Sequence, residues 1–289
     1  MAQQSRCWLF ALSLLGCLTA SAASPVWVVH GTHNTIYLAG SVHMLKASDA
    51  QLPGAFDRAY AASKTLVMEL ALDKVDPLET ASWMMEHGML RDGVTLSSLL
   101  GPERYRRVTA ESARLGVPAE VSDQLAPWAL ALQLTELRYA QLGFNPELGV
   151  EQQLEHRAQT DGKPIRGLET LDEQLGVLEH LSYPDQARFL DRVVDDLHSM
   201  DSETASVIAA WRNADAAKLA TLLGDEYKSF PTLYRTLVTD RNRRWLPQIE
   251  QLLRDDQDYF VVVGALHLVG DGGLLELLRH DGFKAESLN

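Results

Sequence analysis

FVVVGALHL, Phe260 to Leu268, is an unbroken apolar run that ends in a glycine with a histidine three places on. Five apolar residues from Tyr259 to Val263, three of them valine, predict a strand buried on both faces, the pattern of a parallel strand in an α/β sheet. More than two hundred residues earlier, IYLAGSVHM (Ile36 to Met44) also runs a strand into Gly-x-x-His. The likeness stops at the strand and its turn, so the two segments are not halves of a duplication. Working outward, Val26 to His30 and Thr35 to Ser41 read as a hairpin across Gly31 to Asn34. TLVMEL (Thr65 to Leu70) and KPIRGL (Lys163 to Leu168) read as short strands, and Lys284 to Ser287 as a last one.

The rest reads as helical. Helices are expected at Gln51 to Ser63, Leu78 to Leu90, Pro102 to Leu115 and Pro127 to Leu142, with Pro102 and Pro127 at first-turn positions. Further helices are expected at Leu171 to Leu181, Pro184 to Met200, Ser202 to Arg212, Ala214 to Leu223, Asp240 to Leu253 and Gly272 to His280. The expected fold class is therefore α/β: a central mixed, partly parallel sheet built from distant segments, in one domain spanning residues 23–289, with a large helical insertion at about 77–160.

Four of these strands end on a residue with chemistry: His43, Glu69, Glu169 and His267. Ligands of open α/β sheets bind beyond the carboxyl ends of parallel strands, so a parallel arrangement would bring all four to one rim. Gly40 and Gly264 then sit where each strand must bend or let another group approach. Two imidazoles and a carboxylate suit a divalent ion, and a second carboxylate suits proton transfer from water. Taken singly, each has a plainer reading. A histidine after a strand is more often structural, Glu69 could pair with an arginine, and Glu169 could sit on the dipole of the next helix. In TDRNRRW (Thr239 to Trp245), Asp240 is expected to cap a helix whose first turn presents Arg241, Asn242 and Arg244.

Composition narrows the function. The 289 residues carry 26 Lys+Arg against 39 Asp+Glu, an acidic balance that argues against nucleic acid as partner. Arg6, the apolar Trp8 to Leu18 and Ala20-Ser21-Ala22 form a secretory signal with cleavage expected after Ala22, giving a periplasmic or secreted protein. Leu14-Leu15-Gly16-Cys17 offers a lipoprotein acceptor at Cys17, against which the bulky Leu15 argues. Both cysteines, Cys7 and Cys17, lie in this leader. The mature chain is thus expected to lack a thiol nucleophile, a thiolate metal site and any disulfide. No later segment reaches the ~18 apolar residues of a transmembrane helix. His-Glu-x-x-His and Gly-x-Ser-x-Gly are both missing, which removes the zincin and serine-hydrolase readings.

The ordered set IYLAGSVHML, LVMEL, IRGLETLDEQL, LVTDRNRRWLPQI and YFVVVGALHLVGDGGLLELLRHDGF resembles the TraB/PrgY/GumN family in its exported GumN-like branch. That family is related to the Tiki metalloproteases and, more distantly, to erythromycin esterase and ChaN-like haem-binding proteins. The resemblance implies that last fold and a metal-dependent hydrolase, most simply a peptidase acting on a peptide or protein. By matching position, His43, Glu69 and His267 would hold the ion, manganese or cobalt by resemblance and zinc as the other choice. Glu169 would orient or activate water, and Arg241, Asn242 and Arg244 would position substrate or steady a carbonyl oxygen. Two rivals remain: a non-catalytic haem-, metal- or peptide-binding protein, and a metal-free esterase-type hydrolase.

Overall fold

The computed structural model describes residues 24–228 and 230–288. The secretory signal expected at residues 1–22, with Cys7 and Cys17, falls outside the described residues. Six strands form one sheet: β1 (Val26–His30), β2 (Thr35–Ser41), β3 (Thr65–Met68), β4 (Ile165–Gly167), β5 (Tyr259–Gly264) and β6 (Ala285–Ser287). Their order is β4-β3-β5-β2-β1-β6. β4, β3, β5 and β2 are mutually parallel neighbours, whereas β1 runs antiparallel to β2 and to β6. The four strands that carry candidate groups are thus contiguous and point the same way. All six residues of β5 are buried, which is why the strand is apolar without alternation.

Helices cover the sheet. Between β3 and β4 run Pro77–His87, Leu96–Arg114, Ala119–Ser122, Pro127–Gln141 and Val150–Asp161; between β4 and β5 run Leu171–Glu179, Tyr183–Asp196, Met200–Arg212, Ala216–Tyr227, Pro231–Tyr234 and Asp240–Leu252. Gly54–Ala62 precedes β3, and Leu274–His280 precedes β6. The Leu96–Arg114 segment breaks at Gly101 (φ 73°, ψ 169°). Pro102 therefore does open a helix, but one joined end to end with an earlier turn. Val150–Asp161, whose own boundaries the sequence pattern did not mark, packs its N-terminus against the residues after β2. No helix among the described residues is long and apolar enough to cross a membrane.

Two local expectations are corrected. Asp240 does not cap a helix: a π-helical stretch, Arg235–Thr239, feeds directly into Asp240–Leu252, and Thr239 and Asp240 are already helical. The Asp240 side chain instead faces Arg243 at 3.3 Å. His267 lies not in a loop but on a single helical turn, Ala265–Leu268.

Candidate active site

Each Gly-x-x-His glycine has its own steric reason. A Cβ on Gly40 would stand 3.1 Å from Ala265 Cα, so this glycine lets the end of β2 press against the His267 turn. A Cβ on Gly264 would stand 3.2 Å from Glu69 Oε1, 3.5 Å from His43 Nε2 and 3.6 Å from His267 Cδ2. Gly264 is therefore the floor on which three of the four strand-end groups meet.

His267 is buried, with its orientation dictated by Asn242. The Asn242 amide nitrogen donates to the carbonyls of His267 (3.0 Å) and Gly272 (2.9 Å), which turns its oxygen toward His267 Nδ1 at 2.7 Å. Nδ1 must then carry the proton, leaving the Nε2 lone pair to accept from Arg241 Nη1 at 3.1 Å. Burial pushes the imidazole pKa down to about 3, Glu69 opposing this and Arg241 adding to it. His267 is a neutral base with its lone pair facing the site.

Arg241 is the centre of the cluster. Its Nη2 reaches Glu69 Oε2 and Glu169 Oε1, each at 2.5 Å. Nε lies 3.1 and 3.2 Å from the two Glu169 oxygens, and Nη1 also donates to Leu237 O, a carbonyl of the π-helical stretch. All five guanidinium protons thus have acceptors, and one cation serves two buried carboxylates. Trp245 completes the wall: its indole N–H donates to Glu169 Oε2 at 3.2 Å and its ring lies 4.5 Å from that of His267.

Glu69 accepts the Gly264 N–H at 2.7 Å and an amide proton of Gln174 at 3.1 Å. Burial alone would raise its pKa; His267, Arg241, His43 and the Gly264 N–H outweigh that and hold it at about 2. Burial keeps His267 neutral, so the lasting source of the lowering is the permanent charge of Arg241. Burial instead raises the Glu169 pKa against the pull of Arg241.

His43 is 69% exposed, and its Nδ1 lies 2.7 Å from Glu151 Oε1. The Glu151 carboxylate raises the His43 pKa to about 9, against some cost of desolvation. Arg244 is half exposed and stands 3.9 Å from Glu169 Oε2.

The structure thus brings His43, Glu69, Glu169, Arg241, Asn242 and His267 into one cluster, with Arg244 at its margin. Both carboxylates pair with Arg241; Glu169 takes this buried arginine as partner rather than the dipole of the helix that follows. Sequence reading missed Glu151, Ser41 and Gln174. No sequence signal marked Glu151 beyond a glycine two places before it, and it is the structure that shows why Gly149 has no Cβ, which would stand 2.1 Å from His43 O.

Among the described residues, no three His, Cys, Asp or Glu side chains stand in the geometry of a metal site. The chemistry of the donors nonetheless suits one. Both histidines have Nδ1 tied to an oxygen and Nε2 left toward the cluster, the outer-shell arrangement typical of ligating imidazoles. His267 Nε2 and Glu69 Oε1 are 3.8 Å apart, a separation that two ligands of one ion can close. What must yield is the Arg241 Nη1 bond to His267 and the Nε2 proton that His43, with its pKa of about 9, keeps at neutral pH; Glu169 can retain the guanidinium when they do.

The model of the TraB/PrgY/gumN family matches residues 25–287, and the chain belongs to that family. It is 25% identical over 244 residues to the protein YbaP of Escherichia coli strain K12, described as uncharacterized, covering 84% of this chain and 87% of YbaP. The Shigella flexneri YbaP matches to the same extent. It is 22% identical over 302 residues to the metalloprotease TIKI2 of Danio rerio, covering 86% of this chain and 58% of that protein. No solved structure matches.

Proposed function

We propose that this TraB/PrgY/gumN-family protein is an exported metal-dependent hydrolase that cleaves peptide bonds at the rim where β2, β3, β4 and β5 end. The observation that carries the reading is the pair of imidazoles tied at Nδ1, with His43 Nε2 and Glu69 Oε1 both against Gly264 and the His267 lone pair free of its proton. Distant similarity to TIKI2 supports hydrolysis and, within it, peptide cleavage. His43, Glu69 and His267 would hold a divalent ion, manganese or cobalt before zinc. Such an ion, when bound, supplies Lewis acidity and lowers the pKa of water.

The chain's own residues do the rest. Glu169, whose pKa burial raises against the pull of Arg241, is the carboxylate suited to orient water or exchange a proton with it. Arg241 and Arg244 supply positive charge where a carbonyl oxygen gains negative charge. Asn242 keeps His267 in its Nδ1–H tautomer, and Trp245 shields the cluster from bulk water.

One observation favours a second reading, metal-free ester hydrolysis: Arg241 already balances both buried carboxylates and occupies His267 Nε2, so no ion is needed for charge. A peptide library incubated with the mature protein separates them. Cleavage that needs Mn²⁺ or Co²⁺, stops with chelator and is lost in His267→Ala supports the metallopeptidase. Chelator-resistant turnover of esters with intact peptides contradicts it.

A further inference from the structure

We infer that Glu151 is the positioning residue of the site: through His43 Nδ1 it fixes the imidazole so that Nε2 faces Gly264. The role rests on the hydrolase reading above only for its consequence, since the geometry stands by itself. Glu151 opens the helix Val150–Asp161, and its Oε1 receives both His43 Nδ1–H at 2.7 Å and the Ser41 hydroxyl proton. The carboxylate is 15% exposed while the imidazole it holds is 69% exposed. A half-buried acid thus anchors the inner edge of an open ring. Its position in the first turn of a helix favours the ionised form.

An ion pair that merely tethers the chain would be redundant here. Backbone bonds already clamp the segment after β2 to the start of this helix: Val150 N–H to Val42 O at 3.1 Å, Asn145 N–H to Leu45 O at 3.0 Å and Leu45 N–H to Asn145 O at 3.4 Å. Gly149 packs its backbone directly on His43 O, where a Cβ has no room. What remains unfixed by the backbone is rotation of the His43 side chain, and Glu151 removes it. Ser41 holds the same carboxylate oxygen from the other side. The helical segment between β3 and β4 thereby supplies a part of the active site, which links the insertion to chemistry.

The test compares wild type, Glu151→Gln and Glu151→Ala by two readouts. In chelator-treated protein, proton NMR of wild type should show a far-downfield His43 Nδ1–H resonance, identified by its loss in His43→Gln. That resonance should move upfield in Glu151→Gln and vanish in Glu151→Ala, with circular dichroism unchanged. In a Mn²⁺ titration, Glu151→Gln should bind about 10–100-fold more weakly than wild type. An unaltered resonance in the isosteric Glu151→Gln, or an unaltered Mn²⁺ affinity where wild type binds, overturns the role. If wild type binds no Mn²⁺, the metal reading fails, and the resonance alone decides on Glu151.

Discussion

Arg241 Nη1 donates to His267 Nε2 across 3.1 Å, so the lone pair that an ion would use is held by a side chain that is always charged. The same guanidinium neutralises Glu69 and Glu169. Arg241→Met leaves the buried Glu69 without its permanent countercharge and Glu169 with only Arg244 at 3.9 Å, and should cost about 3–5 kcal/mol in urea unfolding. Arg241→Lys should recover less than half of that, because one ammonium cannot span two carboxylates and an imidazole. A loss below about 1 kcal/mol for Arg241→Met would mean the cluster is wet.

The cluster also sets a pH dependence in chelator-treated protein. His267 falls from 6.5 unfolded to about 3 folded, and Glu69 from 4.5 to about 2. In both cases the unfolded chain binds the proton first, so stability is full above the unfolded value and lost as pH falls. His43 works oppositely: raised to about 9, it contributes below 6.5 and loses that contribution as pH rises through 9, in a form weakened by its exposure to solvent. The urea midpoint should therefore fall from pH 6.5 toward 3, and His267→Gln should flatten the upper part of that limb. An identical acid limb in His267→Gln would contradict the buried neutral imidazole.

Gly264 has ordinary backbone angles (φ −51°, ψ 139°), so alanine is permitted there and the added methyl reports on the space above it. Gly264→Ala should fold with a midpoint close to wild type, Glu69 giving way by a few tenths of an ångström. It should lose at least about 100-fold in hydrolysis, the scale of a small misplacement of reacting groups. Full activity in Gly264→Ala would move the reaction elsewhere on the rim.

Asn242 is wholly buried and spends its amide on two carbonyls and one imidazole. Asn242→Ala should cost about 1–3 kcal/mol. By nitrogen-15 NMR it should also release His267 from a single tautomer. Stability loss with the tautomer intact would assign His267 another orienting group.

The α/β class and the rim were legible because β5 is too apolar to face water and because strand ends are marked by residues that a core would not tolerate. Gly40 and Gly264 were read as places where the chain bends or lets another group approach; in the structure a Cβ on either would crowd a named atom, Ala265 Cα at 3.1 Å and Glu69 Oε1 at 3.2 Å. The Arg241 hub was less legible. Which of Arg241, Arg243 and Arg244 turns inward depends on the π-helical stretch before them, and a π turn leaves no mark in apolar periodicity. Glu151 stayed hidden for another reason: its partner is 108 positions away, and a first-turn glutamate is ordinary on helix-dipole grounds.

The most direct measurement of the central claim is equilibrium dialysis of the purified protein against Mn²⁺, Co²⁺ and Zn²⁺, beside His43→Ala and His267→Ala. The account predicts one ion per wild-type chain and loss of binding in both variants while circular dichroism stays native. No ion bound by wild type, or equal binding by folded variants, would contradict a metal centre shared by the two Gly-x-x-His segments.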